Sequence, residues 1–119
     1  MPLPNQDFDP TEVSIPWMML KEAGFNVEFA TVDGRRGYCD PLMLNGEGLD
    51  PWGWAPVLRK IRFIGLFLRA NKVSRATYHK LEQDEKFLNP KRYDELKVSD
   101  YAGLSLAGGH AAGIKQYLE

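Results

Sequence analysis

The chain has 119 residues, 44% of them hydrophobic and 26% charged, enough for one small domain with a core and too few for two. Its 15 Lys and Arg against 16 Asp and Glu leave a net charge of −1, which gives no clustered basic surface for nucleic acid. A single cysteine, Cys39, excludes an intrachain disulfide and fits a reducing compartment, so a cytoplasmic location is expected.

The opening "MPLPNQDFDPTE" has neither a charged n-region nor an apolar h-region, so it does not read as a signal peptide. Only "MPLPN" stands before the first helix to serve as a strand. Residues 9–24 then carry a helix signature. Asp9 is placed to cap, Pro10 suits the first helical position, and Glu12 stands three residues after Asp9 as in a capping box. Val13, Trp17 and Leu20 line one face, Pro16 is expected to bend the helix or delay its regular start, and Gly24 suits the C-terminal cap.

"NVEFATVDG" alternates as a strand and ends in an Asp33-Gly34 turn. Residues 35–54 read as loop, punctuated by Gly37, Pro41, Gly46, Gly48, Pro51 and Gly53. Apolar spacing predicts a helix over 55–70, and a more polar one follows over about 73–87. The run "IRFIGLFL" at 61–68 contains Arg62 and is far too short to span a bilayer, so no membrane role is expected. "NPKRYDEL" reads as loop with room for a short edge strand. "SDYAGLSLAGGH" reads as an apolar strand buried on both faces of a parallel sheet, and 111–118 as the start of a helix. This alternation is an α/β order, in which ligands bind beyond the carboxyl ends of the strands.

Few residues are candidates for chemistry. Glu12 is either a capping carboxylate or an acid–base group displayed at a strand-to-helix junction. Gly108, Gly109 and His110 form either a plain tight turn or a cluster of backbone N–H groups suited to an oxyanion. The G-x-G-x-x-G and phosphate-loop spacings are absent, so no nucleotide or flavin cofactor is expected. His79 reads as a solvated surface residue, the two histidines make no metal spacing, and no metal or other cofactor is expected. Cys39 reads as a packed thiol, because no histidine or glycine elbow adjoins it. The tryptophans of "DPWGWAP" read as packing under a loop.

The order and spacing of "DPTE", Pro-Trp, "AGFNVEFATVDG", "DPLMLNGEGL" and "GGHA" resemble the ThiJ/PfpI family, the Parkinsonism-associated deglycase superfamily. The resemblance is closest to its heat-shock-type chaperone/glyoxalase branch. It spans almost the whole chain and is weakest over 58–95. It implies a class I glutamine amidotransferase-like fold: a flavodoxin-like three-layer α/β sandwich with a mostly parallel sheet. This chain would form a single partial domain over 1–119, incomplete at both ends, with a helical insertion at about 55–88.

The family places a reactive cysteine on a sharp strand-to-helix turn and a carboxylate beside that thiol. By resemblance Glu12 is the thiol-partner carboxylate, Gly108 and Gly109 shape the oxyanion pocket, and His110 lines it. The nucleophilic cysteine is expected after the helix that follows "GGHA", so none is expected in this chain, and Cys39 stands in the wrong place. Two further departures are Ala107, where the family has proline, and Lys21, where heat-shock-type members have a metal-binding histidine. The implied substrate is a small carbonyl compound, an aldehyde or an amide-type molecule, handled by a homodimer or by completion with a second chain. The alternative is a non-catalytic, protein-binding or chaperone-like member of the family.

Overall fold

A computed structural model describes residues 1–46 and 71–117. Strand β1 (Gln6–Phe8) leads into helix α1 (Pro10–Glu22), followed by β2 (Ala30–Thr31), β3 (Tyr38–Cys39) and a short helix α2 (Pro41–Asn45). Helices α3 (Lys72–Leu81) and α4 (Glu85–Leu88) precede β4 (Lys91–Arg92), and a 3-10 helix covers Ala112–Tyr117. The fold is α/β and flavodoxin-like in its pairing, with β1 parallel to β3 and β2 parallel to β4. A parallel bridge between Pro2 and Ala30 joins the two pairs, supported by Leu3 N–H donating to the Ala30 carbonyl at 2.8 Å.

Helix α1 forms where its sequence signals it. The Asp9 side chain caps it, Pro10 occupies its first turn, and Gly24 at φ +86° closes it, while Phe25 N–H reaches back to the Leu20 carbonyl at 2.9 Å. The helix runs unbroken through Pro16, which can donate no bond to the Glu12 carbonyl. Val13, Ser14 and Trp17 are buried on the face that packs against α3, where the Ser14 hydroxyl donates to the Ser74 carbonyl at 3.5 Å.

The core is aromatic. Phe8, Phe29, Tyr78 and Phe87 are almost fully buried with Leu3, Val13 and Leu81. The Phe29 and Phe87 rings meet edge to face at 5.3 Å, and Phe87 meets Phe8 and Tyr78 at 6.2 and 6.3 Å in the same way. Around the rim, Lys21 pairs with Asp84 at 2.8 Å and Arg36 with Glu82 at 2.6 Å, with Arg36 stacked on the Phe87 and Tyr38 rings. His79 is exposed and shares a 3.0 Å contact with Glu82, as its polar helix face suggests.

Four sequence expectations are corrected. Residues 35–46 are not plain loop: Asp40 caps α2, Pro41 opens it and Gly46 closes it at φ +74°, so two supposed breakers are helix punctuation. The polar helix over 73–87 divides at Asp84, which caps α4 by accepting the Lys86 and Phe87 N–H groups. The first strand is Gln6–Phe8 rather than "MPLPN", which contributes an isolated bridge at Pro2. The segment 101–107 forms no strand among the described residues, and Leu104 and Leu106 stand 71% and 60% exposed. The expected helix over 55–70, the tryptophans at 52 and 54 and the first part of the helical insertion lie outside the described residues.

Candidate active site

The candidate residues meet where β1, the first turn of α1 and the glycine turn 107–113 converge. Asp9 accepts the Thr11 N–H at 2.7 Å and the Glu12 N–H at 3.2 Å. Its own N–H donates to the Gly108 carbonyl at 3.0 Å. The capping box expected of Glu12 is therefore not formed, because the donor that it needs is already committed to Gly108. The Glu12 carboxylate turns instead to the Gly108 N–H, which it accepts at 2.5 Å. Gly108 is thus bonded through both its carbonyl and its N–H to the start of α1.

This arrangement explains why the turn is glycine. A Cβ on Gly108 would lie 2.6 Å from Glu12 Oε2, and one on Gly109 would lie 2.7 Å from the Asp7 carbonyl oxygen. The N–H of Gly108 is taken by Glu12. The N–H groups of Gly109 and His110 have no partner among the described residues. The His110 side chain is exposed. Of the four residues singled out in the sequence, the structure brings Glu12 and Gly108 into direct contact, with Gly109 and His110 following Gly108 in the turn.

Asp7 has no counterpart in the sequence reading. It is the one described non-glycine residue with positive φ, at +73°, a conformation that costs an L-residue roughly 1–2 kcal/mol. It sits in a bulge: Gln6 is in register with Tyr38 and Phe8 with Cys39, so Asp7 is the extra residue on β1. Its carboxylate accepts the Gly113 N–H at 2.9 Å. The tolerance of aspartate for left-handed backbone was the only available signal, and "NQDFDP" gives no second one.

Cys39 lies elsewhere, half-buried on β3 and packed against the core. Burial pushes its thiol up to about 11; a hydrogen bond with Tyr78 opposes that shift, and the charges of Glu82 and Asp40 reinforce it. At neutral pH it is a protonated thiol, and the thiolate is the nucleophilic form. Among the described residues no three His, Cys, Asp or Glu side chains are placed to hold a metal ion, and no helix is long and apolar enough to cross a membrane.

Comparison with known proteins bears on this geometry. An uncharacterized protein of Schizosaccharomyces pombe is 24% identical over 119 residues, covering 98% of this chain and 39% of the relative. The chain thus spans well under half the length of that curated relative. No solved structure matches it. The family model described as ThiJ/PfpI family-like matches residues 3–119, nearly the whole sequence and every residue of the site described above. The chain belongs to the ThiJ/PfpI-like family.

Proposed function

We propose that this chain forms one wall of a cysteine-dependent carbonyl site, with Glu12 as the carboxylate that manages the proton of a thiol. The thiol would come from a segment outside residues 1–119 or from a second chain, since burial keeps Cys39 protonated. The substrate would be a small aldehyde, or an amide-type molecule of similar size. The thiolate adds to the carbonyl carbon and the carbonyl π pair moves onto the oxygen, an oxyanion to which the Gly109 and His110 N–H groups would donate hydrogen bonds. A cytoplasmic setting, where thiols stay reduced, suits this chemistry.

The observation that carries the reading is that the Glu12 carboxylate abandons its capping position and holds the Gly108 N–H at 2.5 Å. The test begins with native mass spectrometry of the protein as isolated, followed by methylglyoxal consumption. Residues 1–119 alone should give no turnover. The protein carrying its thiol-bearing segment or partner should turn over methylglyoxal, lose that activity in Glu12→Gln and keep it in Cys39→Ser. Appreciable turnover by residues 1–119 alone would overturn the reading.

A second reading, a protein-binding member of the family, is favoured by one observation: Leu104 and Leu106 are exposed on a segment that pairs with no strand among the described residues. Homodimerisation with no thiol-dependent turnover would select it.

A further inference from the structure

Two carboxylates, not one, hold the glycine turn. Glu12 takes the N–H of Gly108 at its start, and Asp7 takes the N–H of Gly113 at its end, at 2.9 Å. The Asp7 backbone also presses on the middle of the turn. A Cβ on Gly109 would lie 2.7 Å from the Asp7 carbonyl oxygen, and one on Gly113 would lie 2.6 Å from Asp7 Oδ2. A further tie, the Asn5 N–H donating to Gln116 Oε1 at 2.6 Å, fixes the following 3-10 helix to the same strand.

We propose that Asp7 is a positioning residue for the site. Its left-handed bulge aims the carboxylate at Gly113 and the carbonyl at Gly109, and so sets the direction of the Gly109 and His110 N–H groups beside Glu12. The observations favour this over a purely local role. A bulge interrupts β1 at this one residue, the register slips there, and the backbone accepts an unfavourable φ where the carboxylate accepts the Gly113 N–H and the carbonyl lies close against Gly109. Glycine would hold that backbone without strain, and only the carboxylate then distinguishes aspartate. The inference rests on the functional reading above for what the turn does, but not for how the turn is held.

The test reads amide hydrogen exchange by NMR in the full protein, comparing the wild type with Asp7→Gly and Asp7→Asn. Asp7→Gly keeps the left-handed backbone and removes the carboxylate. It should accelerate exchange about tenfold at Gly113 and also at Gly108, whose partner Glu12 is untouched, while the Val13 amide in α1 stays unchanged. Asp7→Asn keeps an acceptor oxygen and tolerates the backbone, so it should restore slow exchange at both glycines. Acceleration confined to Gly113, an equal acceleration at Val13, or failure of Asp7→Asn to restore Gly108 would overturn the proposal. A parallel methylglyoxal assay separates the two ideas. Coupled exchange without any turnover leaves Asp7 as the organiser of a turn whose function lies elsewhere. Glu12-dependent turnover with a Gly108 amide indifferent to Asp7 sinks this inference alone.

Discussion

Asp7 and Phe8 are neighbours in β1, yet they serve regions held together by different physics. Phe8 is fully buried and meets Tyr78 and Phe87 through ring faces and edges at 6.2 Å. Asp7 meets the glycine turn through a hydrogen bond, and that turn has Ala107 as its one fully buried side chain. The first region derives its stability from apolar area, which is non-directional and tolerates small shifts. The second relies on a few directional bonds to backbone N–H groups, which are worth about 1–3 kcal/mol each when charged and little when misaligned. The difference teaches where to look for each kind of defect: stability in the aromatic cluster, geometry in the turn.

The sharpest way to test that division is to damage each side separately. Phe87→Ala removes the ring at the centre of the cluster and should lower stability by about 3–5 kcal/mol, read as a fall in midpoint in urea unfolding. Glu12→Gln keeps an oxygen that can accept the Gly108 N–H, so the midpoint should barely move, whereas on the proposed reading methylglyoxal turnover by the protein carrying its thiol should fall by about 10²–10⁴-fold. A large loss of stability in Glu12→Gln would erase the distinction between the two regions. Asp9 belongs to both, capping α1 and bonding Gly108, and Asp9→Ala should cost about 1 kcal/mol in the same unfolding measurement.

The smallest expected effect concerns Cys39. Its thiol is raised from 9.0 to about 11 in the folded protein, chiefly by burial. The folded state therefore favours the protonated form. That contribution is fully present below the unfolded value and is lost as pH rises through the window from 9.0 to about 11. Cys39→Ser should remove this part of the alkaline decline without altering turnover at neutral pH. Unfolding midpoints of the two proteins across that window would show it, and identical slopes would mean that the thiol is not buried as described.

Much of the first third of the fold was legible because its signals are local. Asp9, Pro10 and Gly24 mark the ends of α1 by capping chemistry alone, and the structure follows them. The same chemistry marked α2 through Asp40, Pro41 and Gly46, but glycine and proline invite a loop reading unless their order is weighed. The segment 101–107 was misread for a different reason. Apolar composition signals burial only where something lies against it, and Leu104 and Leu106 face solvent. Within the site, Glu12 and the Gly108–Gly109 pair stood out as residue types. The hydrogen bond between them was invisible, because nothing local tells a carboxylate which distant N–H it will choose. Asp7 was hidden more deeply, since its role comes from a slipped register that no residue pattern announces.

The ties that build the glycine turn also set an order of events during synthesis. Glu12 and Gly108 are separated by 96 positions, Asp7 and Gly113 by 106, and Asn5 and Gln116 by 111. A ribosome adding about 5–20 residues per second delivers the second member of each pair seconds after the first. Helix α1, whose cap spans three positions between Asp9 and Glu12, needs no such wait. The nascent chain therefore carries its Glu12 carboxylate without the N–H that it will hold until Gly108 emerges. The glycine turn closes on β1 and α1 only after these distant partners have emerged, whereas the cap of α1 forms from neighbours.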